Sequence, residues 1–262
     1  MVINIEFYLH KARAFGFGGY WGESMKYFDH ALALSKPGSS QYQEIREEKG
    51  ASHHTADYFY ETLESDTATN SDKGLAYVML GQHEKGLELC SYALENNTDD
   101  DAAFTCQAAA LLKLDKYEEI LKIYRHYPHL IEVMTGYYGM GTSMYFTVGG
   151  IPIPPDVIAH YHLGNYDRAY EILEVTRNHS DSRIASVYEL AQVGVLERQG
   201  KGDLGSIILR EVMRDTQGGQ SLPGFYGISG IDYNFLRGWI YFSFRDSIPS
   251  SFCFMSVMCS FI

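Results

Sequence analysis

A chain of 262 residues with 45% hydrophobic and 21% charged residues has enough apolar material to bury a core, which excludes a wholly disordered segment. Its 33 acidic residues outnumber 21 basic ones and leave a net charge of -12, so nucleic acid, whose phosphates such a surface repels, is not an expected partner. Four cysteines, Cys90, Cys106, Cys253 and Cys259, are too sparse for a disulfide scaffold and form no Cys-x-x-Cys pair, so all four are expected to be free thiols.

The elements follow one another as helix pairs. In residues 5 to 38, Tyr8, Ala12 and Phe15 share helical spacing, a turn falls at Gly19-Tyr20-Trp21, and Ser24, Phe28 and Ala31 continue on a second helix that Pro37 closes. Residues 39 to 66 hold Tyr42, Ile45, Tyr58, Phe59 and Leu63 near helical spacing without such a turn, and a degenerate helical pair is expected. Residues 67 to 100 place Gly74 and Tyr77 before a turn at Gly81, then Gly86, Cys90 and Ala93. Residues 101 to 134 place Phe104, Ala108 and Leu111 before a turn at Asp115 to Tyr117, then Ile120, Tyr124 and Tyr127; Asp115 lies 34 residues after Gly81. Residues 135 to 155 interrupt the pattern with glycines, aromatics and an Ile-Pro-Ile-Pro-Pro run that forbids helix. The pattern resumes with Gly164-Asn165-Tyr166, Ala169 and Leu173, on a unit whose first helix is shortened by Pro152, Pro154 and Pro155, and a weaker unit spans about 185 to 217. Residues 218 to 224 read as a linker, residues 231 to 244 as a last apolar helix capping the stack, and residues 247 to 262 as a nearly uncharged, aromatic-rich tail.

Small residues that let antiparallel helices approach, bulky ones that fill the space beside them, and a 34-residue period make these units resemble the tetratricopeptide repeat (TPR). The resemblance implies an all-α fold, an α-solenoid of antiparallel helix pairs interrupted by irregular insertions. It divides the chain into an N-terminal array over 1-134 with its degenerate segment at 39-66, the insertion at 135-155, C-terminal helices over 156-217, and the linker, capping helix and tail over 218-262. It also implies a role as a protein-protein interaction scaffold, with first helices lining a concave groove that takes a peptide or helix of another protein.

Members of the family that bind a terminal carboxylate use a clamp of Lys, Asn and Arg. The matching places here hold Leu9, Arg13, Asp72, Ala102 and Cys106, so that clamp is absent. Small residues Ala102, Thr105, Cys106 and Ala109 fit either a shallow apolar groove for a hydrophobic ligand or packing against a neighbouring helix of the same chain. The candidate binding residues are therefore Leu9, Arg13, Asp72, Ala102, Thr105, Cys106 and Ala109.

No catalytic residue, metal site or cofactor is expected. His53-His54 with Asp57 and Glu61, His126 with His129, and His160 with His162 lack the His-Glu-x-x-His or Cys/His spacing of zinc ligands. Gly16-Phe17-Gly18-Gly19 and Gly139-Met140-Gly141 have neither the preceding strand nor the Lys of a phosphate loop. Asp99-Asp100-Asp101 reads as an N-cap. The start, Met1-Val2-Ile3-Asn4-Ile5-Glu6, has no secretory pattern, and a cytoplasmic location is expected. The tail keeps a second reading open: Cys259 sits at prenylation spacing from the end, which describes a membrane-tethered adaptor, although the stretch is shorter than the roughly 20 residues of a span. An enzyme with a helical-repeat body is a third reading, and it requires clustered titratable residues.

Overall fold

The structure, a computed structural model, describes residues 5-17, 21-130, 153-178, 182-217 and 240. Among the described residues it holds eleven α-helices and no strand, so the all-α expectation is met. The chain divides into two compact units, the first ending at Leu114 and the second beginning at Asp115. The division thus separates the two helices of the expected third repeat; of the insertion at 135-155, residues 135-152 lie outside the described residues.

The first unit contains α1 (Ile5–Phe17), α2 (Trp21–Leu34), α3 (Ser40–Glu64), α4 (Asn70–Met79), α5 (His83–Asn96) and α6 (Asp101–Lys113). Each helix packs against the next through α5–α6, except that α6 also lies against α4. Leu9, Ala12, Phe28, Ala31 and Ile45 form one buried cluster. Ser24, the small residue expected to allow close approach, is buried, and its hydroxyl donates to the Ala12 carbonyl at 2.7 Å. This bond ties α2 to α1 without leaving a hydroxyl unpaired in the core.

The expected helical pair at 39-66 is instead a single helix, α3, of 25 residues. Nothing in the segment stops a helix once Ser39 has capped it by accepting from the Tyr42 amide at 3.2 Å. Gly50, at its centre, costs about 1 kcal/mol relative to Ala but does not break the backbone bonding.

α4 and α5 cross at glycines. A Cβ on Gly86 would lie 2.7 Å from the Gly74 carbonyl oxygen, and one on Gly74 would collide with Cys90 Sγ. Close approach of two backbones therefore requires glycine at both places.

The second unit contains α7 (Tyr117–His126), α8 (Pro155–His162), α9 (Tyr166–Asn178), α10 (Ser182–Arg198) and α11 (Gly202–Gln217), each packed on the next. α8 has eight residues and begins on Pro155, a position where the missing amide costs no intrahelical bond. The short first helix expected from the prolines is observed. Ile120, Tyr124, Ile158, Ala169 and Leu173 are buried. Of the expected capping helix, the one described residue, Ile240, is helical and buried.

Four turns among the described residues share one device. Gly81, Gly164 and Gly200 take positive φ values of 84°, 76° and 74°, and Asp115 takes 56°. Beyond each glycine an amide reaches back over the helix end: Gln82 to Tyr77 O, Asn165 to His160 O and Lys201 to Leu196 O, all at 2.8 Å. A left-handed residue after the last helical turn satisfies carbonyls that would otherwise be orphaned, and glycine adopts it without a Cβ penalty.

Candidate functional site

Of the seven candidates two fall on α1, one on α4 and four on α6; α4 and α6 lie side by side with α5 packed on both. Their shared end is built from side chains that satisfy free amides. Thr69 caps α4 by accepting from the Asp72 amide at 3.1 Å, while Asp72 Oδ2 accepts from the Thr69 amide at 2.9 Å and from its hydroxyl at 2.7 Å. Asp100 caps α6 through Oδ1, accepting from the Ala103 amide at 2.8 Å, and its Oδ2 accepts from the Ser71 hydroxyl at 2.8 Å. One carboxylate thereby closes α6 and binds it to the start of α4. The N-cap reading of the Asp99-Asp100-Asp101 run holds at Asp100.

The seven candidates do not converge. Leu9 belongs to the α1–α3 core. Arg13 lies on α1, with its side chain outside the described residues. Asp72 is exposed, but its carboxylate is engaged in the capping box. Cys106 and Ala109 are fully enclosed, which decides the open choice at those two places in favour of helix packing. Ala102 is exposed and Thr105 half-exposed, so these two remain available to a ligand. Gln107 of α6 faces α5, its amide donating to Ser91 Oγ at 2.8 Å.

The expectation of four free thiols is corrected. Cys90 of α5 and Cys106 of α6 form a disulfide, with Cα atoms 5.9 Å apart and both residues fully buried. Their separation of 16 residues gave no local motif. The repeat register carried no signal for the pairing either: Cys90 holds the bulky place of a second helix, whereas Cys106 stands among the groove positions of the next first helix. Cys253 and Cys259 lie outside the described residues, as does the whole of the 247-262 tail.

A second cluster lies on α8. Asp156 is held up at about 6 by burial, against the opposing effect of backbone amides and Arg168. One helical turn on, burial and then the Arg168 charge lower His160. In the sequence Asp156 and His160 belong to no shared motif, and His160 stands out only beside His162. His162 stacks on Tyr117 with ring centroids 4.4 Å apart and planes 9° apart; His126 and His129 each meet the Tyr127 ring edge-on. The side chains of His53 and His54 fall outside the described residues. Among the described residues no three His, Cys, Asp or Glu side chains are grouped as metal ligands, and no helix is long and apolar enough to cross a membrane.

No protein-family model and no curated protein matches the chain.

Proposed function

We propose that this chain is a TPR-like interaction scaffold that holds a segment of another protein on the surface of α4 and α6. The observation that carries the reading is the side-by-side packing of these two helices, with Ala102 exposed and Thr105 half-exposed on α6. Two small side chains on a helix anchored by Asp100 make a shallow, rigid strip, and a partner side chain seated there loses little of its interaction to reorganisation. The capped α4 and α6 resist displacement in the same way. A cytoplasmic location belongs to the same proposal.

The test is affinity capture with the full chain and with its Ala102→Arg and Thr105→Arg variants. Both positions reach solvent, so the variants keep the helical circular dichroism of the parent. Loss of at least ten-fold in capture of the same partner is expected; equal capture by both folded variants would remove the strip from the binding surface. Fractionation of the full chain with and without residues 247 to 262 separates this reading from the tethered adaptor, for which truncation shifts the protein out of the membrane pellet.

An enzyme with a helical body is the second reading, favoured by the displaced Asp156 and His160 on α8, since catalytic groups are often shifted by burial. A turnover activity abolished by Asp156→Asn and His160→Gln, with capture unchanged, would favour it.

A further inference from the structure

We propose that Cys90 and Cys106 form a thiol-disulfide site that locks α5 to α6, with exchange between its two states gated by opening of the α4–α6 packing. The site is built from three helices. Cα atoms 5.9 Å apart lie within the range a disulfide spans without backbone movement. Gly74 on α4 leaves the room: a Cβ there would collide with Cys90 Sγ and stand 3.3 Å from Cys106 Sγ. The reduced state is also accommodated, because the Ser71 carbonyl lies 3.9 Å from Cys90 Sγ and is placed to accept from its thiol. A buried thiol behaves as a small apolar group, so α4–α6 stay packed in either state.

The oxidant class is a low-molecular-weight disulfide such as oxidised glutathione. One protein thiol loses its proton, and its sulfur attacks the small disulfide, releasing one small thiolate and leaving a mixed disulfide. The second deprotonated cysteine attacks the protein sulfur of that mixed disulfide, closes the Cys90–Cys106 bond and releases the second small thiolate. The two small thiolates take up the two protons, and the two electrons lost by the protein pair reduce the small disulfide. Both cysteines are 0% exposed, so attack at either sulfur requires α4–α6 to open first. In the folded protein the bridge is therefore protected from reductant as well as from oxidant. The cross-link closes a short loop across the α5–α6 connection, and by restricting the opened chain it disfavours opening of the linked helices by on the order of 100-fold. This inference stands apart from the scaffold reading.

The experiment uses the full chain opened in urea, refolded with oxidised glutathione, and mapped by alkylation and mass spectrometry. A linked Cys90–Cys106 peptide pair is expected, with Cys253 and Cys259 alkylated separately. Reduced glutathione should then cleave the bridge at least 100-fold more slowly in buffer than in urea. Amide hydrogen exchange across α5 and α6 should be about 100-fold slower in the bridged protein than in the reduced protein. The reduced wild type is the folded reference, and a Cys90→Ala/Cys106→Ala variant, where it folds, should match it with or without oxidant. Unlinked Cys90 and Cys106 after refolding would overturn the site; equal cleavage rates in buffer and urea would overturn the gating; equal amide exchange in the two states would overturn the lock.

Discussion

Gly50 and Gly86 are the same residue type on different helices of one unit, and their surroundings give opposite consequences for adding a methyl group. Gly50 lies in the middle of α3 with nothing within 4 Å of a built Cβ, whereas a Cβ on Gly86 would lie 2.7 Å from the Gly74 carbonyl and 3.1 Å from the Val78 amide nitrogen. Gly50→Ala should stabilise the chain by about 0.5–1 kcal/mol, because alanine narrows the unfolded ensemble and favours helix. Gly86→Ala should destabilise by about 2–3 kcal/mol, since backbone cannot yield as a flexible side chain does. Urea unfolding of the two variants reads both signs, and a Gly86→Ala variant as stable as the parent would contradict the tight crossing. Asp156 supplies a pH-dependent case. Its folded pKa of about 6 stands above the ordinary 3.8 because burial penalises the ionised form. The folded state therefore binds the proton more tightly, a stabilising contribution present below the unfolded pKa and lost as pH rises through about 6. Asp156→Asn should raise stability at pH 7.5 by roughly 1–3 kcal/mol, and its advantage should vanish by pH 3.5. Thermal unfolding across that range tests the sign, and an advantage independent of pH would point to packing instead of ionisation.

At the scale of elements, capping decided more than propensity. Asp100 performs two tasks with one carboxylate, closing α6 through Ala103 and holding α4 through Ser71. Asp100→Ala should cost about 2 kcal/mol, more than the ~1 kcal/mol of an ordinary lost cap. Ser71→Ala should cost less, because α6 keeps its cap. Denaturant titration of the two variants tests the order; equal losses would mean that the link between helices carries the whole effect. α3 shows the reverse case, where the absence of a stop signal lets one helix run through a segment whose pattern suggested two. Gly50 is a weak breaker, and the proline and glycine clusters that end helices elsewhere in the chain are missing from 40-64.

For the whole molecule, the net charge of -12 remains the broadest constraint on partners. A duplex DNA fragment should not be retarded by the full chain in a gel shift at about 50 mM salt, a condition that exaggerates phosphate attraction; salt-sensitive retardation would overturn that expectation. The division at Leu114 and Asp115 falls at one of the expected turns. There the left-handed position is held by an aspartate instead of a glycine, a residue whose short polar side chain tolerates that conformation. Asp115 Oδ1 also accepts from the Tyr117 hydroxyl at 2.8 Å, so the Asp-x-Tyr phrase performs the turn locally.

Much of this organisation was legible in the residues because it is local. Spacing of apolar and small residues marked Ala12, Ser24, Phe28, Ala31, Ile120, Tyr124, Ala169 and Leu173, all of which are buried; the turn phrases marked Gly81, Asp115 and Gly164, all of which take positive φ. The candidate site was less legible. A small residue on a helix looks the same in sequence whether a ligand or a neighbouring helix covers it, and at Cys106 and Ala109 the neighbour does. By itself, then, the sequence determined the helical class, the turns and most interior positions, since each follows from backbone stereochemistry and periodicity over a few residues. Only the tertiary structure decided that Cys90 meets Cys106, that Asp72 serves its own helix, and that burial displaces Asp156, because these depend on which surfaces of separate helices exclude water together.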